Sequence, residues 1–230
     1  DIIKRGLVFN MDAANRASTI PSTTTTKTFN TVDTSISGSI ITDAIWEDGL
    51  PPTFDFDGSD GYINFSDDDI FSFGNGSTDS PFSISSWIKP VDNARFRIAF
   101  KWGTSLREYY FQIAGGGALQ VLLNSSLNDY IGRNGQTTIS ENVWSQVVFT
   151  YDGSGDRNNI NIYLNGVLDN APAIVQGTYT AMSNTSQPLQ IGKYDSTYAN
   201  GDISNIQIYN RALSAKEVLH NYNALKGRFV

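Results

Sequence analysis

Tyr194, Tyr198 and Asn200 share one polar, turn-rich loop, Lys193–Asn200, just ahead of the last strand-like segment. An aromatic face covers the C–H surface of a sugar ring, and Asn, Asp and Gln side chains read its hydroxyls, so this loop is a candidate saccharide site. Trp102, Tyr109 and Tyr130, at strand ends, are further ligand-binding candidates. Large side chains are also what fills a curved two-sheet core, and that reading competes at each of these aromatics. Asp57-Gly-Ser-Asp60 is a loop of oxygen donors of the kind a hard cation such as calcium accepts. A plain Asp-Gly turn, in which Asp bonds its own backbone, explains the same four residues. In Asp67-Asp-Asp69 three adjacent carboxylates point in different directions, and the turn reading is preferred. His220, the only histidine, lies beside Leu219 with no partner that the sequence identifies, and is assigned no role.

The elements that must position these groups are strands. Thr53–Asp57, Gly61–Phe65, Pro81–Lys89, Arg95–Trp102, Arg107–Ile113, Ala118–Asn124, Trp144–Asp152, Asn159–Leu164, Leu189–Ile191 and Ile203–Tyr209 are short segments separated by polar turns. Most alternate apolar and polar residues, the pattern of two antiparallel sheets packed face to face. Phe82, Ile84 and Ile88 fall on one side and Trp87 on the other, and Phe54 and Phe56 alternate with Asp55 and Asp57. Asn165-Gly166 carries the positive-φ signature of a type I′ hairpin. Ser18–Leu50, rich in Thr, Ser and Asn, reads as a long surface excursion with short strands near Ile36–Ile41. Ser214 and Glu217 form a capping box that opens a terminal helix, with Ala215, Val218, Leu219, Tyr222 and Leu225 on one face. The fold class expected is all-β: a two-sheet antiparallel β-sandwich with one short C-terminal α-helix, residues 1–230 forming one domain.

Composition narrows the function. A net charge of -7 with scattered basic residues argues against a nucleic-acid backbone as partner. There is no cysteine, so no disulfide or thiolate metal site is available. No segment has the length and apolarity needed to cross a bilayer. The chain starts at Asp1 without a signal-peptide pattern, and reads either as a processed product or as a segment of something larger.

Four fragments, in order, resemble the laminin-G-like, concanavalin A-like jelly-roll family: Phe56–Ile63, Phe82–Pro90, Trp144–Asp152 with Ile162–Gly166, and Gly201–Leu219. Gly6–Asn15 is similar to the start of such domains in bacteriophage structural proteins and marine metagenomic sequences. The resemblance implies a jelly roll that binds carbohydrate or protein through rim loops, often with calcium, and Trp87 and Trp144 fit the family's core positions. It also implies pairing of the first and last strands, which would bring Asp202 toward Asp57 and Asp60 as a third metal ligand. Where relatives commonly carry an Asp-Glu pair before the final helix, this chain has Ser204 and Asn205.

Some relatives of this fold hydrolyse glycans with carboxylates spaced Glu-x-Asp-x-x-Glu, and none of Glu47, Glu108, Glu141 and Glu217 sits in such a pattern. Asp55 and Asp57 alternate on one strand opposite an aromatic row, which reads as a solvated acidic face. The expectation is therefore a non-catalytic carbohydrate-recognition or adhesion domain, part of a phage virion surface (alternatively secreted), with glycans on a host or cell surface, neighbouring virion subunits and a homo-oligomer as its partners. A purely structural virion domain is the alternative, and a glycan hydrolase ranks below both.

Overall fold

The computed structural model describes residues 1–22 and 24–230. In chain order the strands are β1 (Leu7–Asp12), β2 (Lys27–Phe29), β3 (Ser37–Ile41), β4 (Ile45–Glu47), β5 (Thr53–Asp57), β6 (Tyr62–Phe65), β7 (Phe82–Pro90), β8 (Arg97–Trp102), β9 (Arg107–Ile113) and β10 (Ala118–Asn124). They continue with β11 (Tyr130–Thr138), β12 (Ser145–Tyr151), β13 (Ile160–Leu164), β14 (Val167–Leu168), β15 (Asn170–Gln176), β16 (Leu189–Ile191), β17 (Lys193–Tyr194), β18 (Thr197–Tyr198) and β19 (Asn200–Tyr209), and the helix α1 (Ala215–Leu225) follows.

One sheet has the order β14-β13-β12-β7-β19-β5-β4, with β1 also paired to β19. The other has nine strands in the order β15-β11-β10-β9-β8-β16-β6-β3-β2, and β17-β18 is a separate hairpin. Every pairing is antiparallel, and the first and last strands do pair, Phe9 opposite Ile208 and Met11 opposite Ile206. The fold is the expected all-β jelly-roll sandwich with one short C-terminal helix.

Alternation decides which side chains meet between the sheets. Phe54, Phe56, Phe82, Ile84, Ile88, Val147 and Phe149 from one sheet join Phe65, Tyr109, Phe111, Leu119, Val121 and Leu123 from the other in one buried cluster. Phe9 meets Phe65 edge-on at 4.9 Å, and Phe73 stacks on Phe82 at 4.2 Å. Such pairs contribute about 0.5–1.5 kcal/mol beyond the area they bury.

The Ser18–Leu50 stretch departs from a simple surface excursion. Of its residues all but Thr23 are described, and β2 and β3 extend the nine-stranded sheet while β4 edges the other. Its polarity is used internally: Ser18, Thr19, Thr28 and Asn30 are buried. The Asn30 side chain accepts from the backbone N–H of Asn10 and donates to the carbonyl of Val8, stitching the excursion to β1.

At the far end the capping box closes as expected, the Ser214 hydroxyl accepting from the N–H of Glu217. The buried stripe of α1 is Val218 and Asn221, however, and Ala215 and Leu219 face outward. The helix rests on the outer side of the eight-stranded sheet, where Trp87 stacks 4.1 Å from Phe229 and 5.6 Å from Tyr222. Asn221 is buried because it donates to the Tyr209 hydroxyl and accepts from the N–H of Ile3.

Candidate functional site

Strands β8 to β11 turn one row of side chains into the core and the other outward, and the outward rows assemble a groove of about 360 Å³. Cross-strand register explains its floor. Arg97 stands opposite Gln112, Gln112 opposite Gln120, and Gln120 opposite Asn134. Their side chains hydrogen-bond in that sequence: the Arg97 guanidinium donates to Gln112 Oε1, Gln112 Nε2 to Gln120 Oε1 (2.8 Å), and Gln120 Nε2 to Asn134 Oδ1 (3.0 Å). The Tyr110 hydroxyl also donates to Gln120 Oε1 at 2.7 Å. A ladder of linked amides holds each member in one orientation.

The next row is aromatic. Phe100 lies opposite Tyr110 and stacks on it at 5.2 Å, and Tyr194, from the β17-β18 hairpin, stacks on the other side of Phe100 at 5.2 Å. Trp102 closes the row, 4.9 Å from Tyr110 and 6.1 Å edge-on from Tyr194. The Arg97 guanidinium stands 5.7 Å from the ring centres of both Phe100 and Tyr194, and that of Arg107 5.0 Å from Trp102. Burial, and then the neighbouring Arg95, push the Arg97 pKa down. Trp102 Nε1 and Arg107 Nε are buried donors with no acceptor, and Asn124 Oδ1 is a buried acceptor with no donor. All three residues line the groove.

Of the ligand-binding residues expected from sequence, Trp102, Tyr130 and Tyr194 line this groove. Tyr198 and Asn200 line a neighbouring depression with Asp57, Arg95 and Thr197. Tyr109 is a correction: it sits between the sheets, fully buried, its hydroxyl donating to the carbonyl of Phe71. Lys101 opposite it belongs to the inward row as well, so Tyr109 has no route to a ligand. Arg97, Phe100, Tyr110, Gln112 and Gln120 were not anticipated; the available signal was one Gln set among the apolar and aromatic residues of each of β9 and β10.

The acidic loop is also rearranged. Asp43, Asp57 and Asp60 each offer an oxygen within 4.8 Å of the others. Asp202 is a correction, because its carboxylate is already held by Lys89 at 3.1 Å and by the Thr53 hydroxyl at 2.9 Å, and its register partner is Asp55. Asp57 Oδ1 accepts from the N–H groups of Ser59, Asp60 and Gly61, which draw its pKa down and give the loop its shape. Asp60 Oδ1 is buried with no donor. Three carboxylates, one with a spare buried oxygen, fit the oxygen-ligand chemistry of calcium. Asp55, raised by burial and by Asp202, lies in the eight-stranded sheet, away from the groove.

A two-sheet jelly roll with an amide ladder and an aromatic row on one outer face defines a class of protein. Residues 57–219 match the family model of the concanavalin A-like lectin/glucanases superfamily, and the chain belongs to that family. No curated protein matches the sequence. Among solved structures it is similar to the binding domain of Paraclostridial Mosquitocidal Protein 1 (TM-score 0.67, 16% identity, 95% of this chain and 52% of that one). It is similar also to botulinum neurotoxin type C (TM-score 0.69, 18% identity, 96% and 51%), whose passage into cells depends on interaction with two ganglioside molecules. Domain 4 of AbnA, an extracellular arabinanase from Geobacillus stearothermophilus in complex with arabinotriose, matches with a TM-score of 0.62 and 18% identity over 94% of this chain and 98% of that one. At these identities the likeness establishes the fold. The chain spans about half the length of the two toxin structures.

Proposed function

We propose that this chain is a non-catalytic carbohydrate-binding domain that lays a glycan across the outer face of β8–β11. The single observation that carries this is the pairing of the Phe100–Tyr110–Trp102–Tyr194 aromatic row with Gln112 and Gln120, held by Asn134 at the end of their ladder, in one groove. Tyr110, Tyr194 and Trp102, backed by the buried Phe100, cover sugar C–H surface, and the fixed amides and unmatched donors read hydroxyls, the mixture of apolar area and few convergent polar groups that small-ligand sites use. No Asp or Glu is among the residues lining the groove, so the chemistry of glycoside cleavage has no acid or base there. The arabinotriose-bound domain and the ganglioside-dependent toxin, which share the fold, support the reading.

Calcium is proposed at Asp43, Asp57 and Asp60, where it would brace the loop beside Tyr198 and Asn200. A domain that docks only neighbouring subunits of a larger assembly draws support from exposed Val167, Leu168 and Leu219 at the β14–α1 edge. The aromatic groove favours sugar.

A glycan array with the wild-type chain, Trp102→Ala and Tyr194→Ala tests the reading. Binding to at least one glycan, weakened about tenfold or more by either substitution, is the expected result. An array on which the folded wild-type chain retains nothing, with and without calcium, overturns it.

A further inference from the structure

The charge of the groove runs against that of the protein. The chain carries a net charge of -7, yet the groove is lined by Arg95, Arg97 and Arg107 and by no carboxylate. Acidic residues appear only in the flanking depressions, Asp195 beside Lys193 on one side, Asp57 and Asp92 on the other.

Arg97 is the informative member. Its residue is only 5% exposed, so its charge has lost most of its water. A buried charge is ordinarily matched by a counter-charge or by a full set of hydrogen bonds. The other buried cations of this fold meet that requirement. Lys101 has the carboxylates of Asp67 and Glu108, at 2.7 and 2.9 Å. Arg133 donates to four backbone carbonyls, those of Ile160, Ala171, Arg157 and Asn158.

Arg97 has only the Thr197 hydroxyl, the Gln112 amide oxygen and two aromatic faces. A guanidinium has five N–H donors, and these two bonds use two of them, at a residue that lines the groove. Among the described residues neither Arg95, Arg97, Arg107 nor Lys193 forms an ion pair with a carboxylate. Arg107 Nε and Trp102 Nε1 add two further buried donors without acceptors. The groove therefore presents a surplus of fixed donors and positive charge around an aromatic floor.

We propose that the groove selects an acidic saccharide, with a carboxylate or sulfate oxygen pair on the ring accepting from the free side of Arg97 while the sugar face lies on the Trp102–Tyr194 side of the floor. This rests on the carbohydrate-binding reading above and names its ligand class. Planar, bidentate recognition of such groups is what the arginine fork does best, and a charge-assisted pair in a partly dewatered groove gains more than one on open surface.

The test is equilibrium binding by calorimetry to two matched polymer sets, alginate and polygalacturonate, each native and carboxyl-reduced, and dextran sulfate beside unsulfated dextran, with neutral arabinan and laminarin as uncharged references. An acidic polymer should bind, and its neutralised counterpart should bind about tenfold or more weakly. The first set against the second distinguishes uronate from sulfate. Arg97→Gln should reproduce the loss with native polymer, and Arg107→Gln, at a less buried position, provides a second variant. Neutralising the polymer leaves the protein untouched, so the result does not hinge on how either variant folds. Equal binding of native and neutralised polymer, weakened by Trp102→Ala, overturns the acidic preference and leaves the carbohydrate reading standing. Acidic binding that ignores both Arg97→Gln and Trp102→Ala and vanishes with salt is a general polyanion effect and overturns it too. Binding of none of these polymers, together with an empty glycan array, overturns both.

Discussion

The ammonium of Lys101 lies 2.9 Å from Oε1 of Glu108, and neither side chain reaches solvent. The same ammonium donates to Asp67 and to the carbonyls of Thr185 and Gln187, and Glu108 Oε1 accepts from the N–H and hydroxyl of Thr185. One buried pair thus ties the β8–β9 end of the nine-stranded sheet to the loop ahead of β16. Burial pulls the Glu108 pKa up and Lys101 pulls it back. Lys101→Met leaves a buried carboxylate without its cation and should cost about 3–5 kcal/mol in urea unfolding. The double variant Lys101→Met/Glu108→Leu should recover part of that loss, since no uncompensated charge remains. A double variant less stable than Lys101→Met by a further several kcal/mol would contradict this.

The sandwich was legible because most strands keep strict alternation: Phe82, Ile84 and Ile88 point inward as their spacing indicates, and the Ser214–Glu217 box opens the helix where expected. The groove was not legible, for a local reason. β8 carries register shifts between Arg97 and Ala99 and between Lys101 and Trp102, so counting by twos does not tell which of its residues face out. Tyr194 reaches the groove only because the β17–β18 hairpin folds back over Phe100. Asp43 joins Asp60 through a close approach: a Cβ on Gly61 would lie 2.5 Å from the backbone nitrogen of Ala44, so only glycine lets these two loops touch. Such contacts are made by tertiary packing, and sequence spacing carries no trace of them.

Gln120 is the junction of the ladder, accepting from Tyr110 and Gln112 and donating to Asn134. Gln120→Leu should leave unfolding within about 1 kcal/mol of wild type, because these groups border a groove open to water. Glycan affinity should fall about tenfold as Gln112 and Tyr110 lose their fixed orientation. Calorimetry alongside a urea melt separates the two effects. Unchanged affinity would remove the ladder from the binding site.

Calcium at the Asp43–Asp57–Asp60 loop should raise thermal stability, by about 2.7 kcal/mol at a concentration one hundred times the dissociation constant. Melting with calcium and with chelator measures the increment. Asp43→Asn and Asp60→Asn should each abolish most of it, whereas Asp202→Asn should retain it, its carboxylate being held by Lys89. An increment that survives both loop variants places the ion elsewhere.

Glu217 sets an acid limit on the terminal helix. Its two carboxylate oxygens each accept from Arg211 at 2.8 Å, and Oε2 also accepts from the N–H of Ser214 at 2.9 Å. Arg211 is the larger cause and the Ser214 bonds the smaller, and against burial they hold the pKa at about 2, below its ordinary value of 4.5. Between those two values the unfolded chain binds a proton that the folded chain does not, so stability falls as pH drops through that window and is fully present above it. Asp33, Asp57 and Asp129 are also drawn down by hydrogen bonds, so total acid sensitivity is shared among them. The difference between wild type and Glu217→Gln isolates the one group. Near neutral pH the variant should be about 1–3 kcal/mol less stable, having lost a charged hydrogen-bond acceptor and half of a capping box. The gap should narrow from about pH 4.5 downward. In a background with Trp46 and Trp102 replaced by Phe, the fluorescence of Trp87 and Trp144, both packed against Phe229, reports on this end of the molecule. A gap that stays constant down to pH 2 would mean that Glu217 acts through packing and not through its charge.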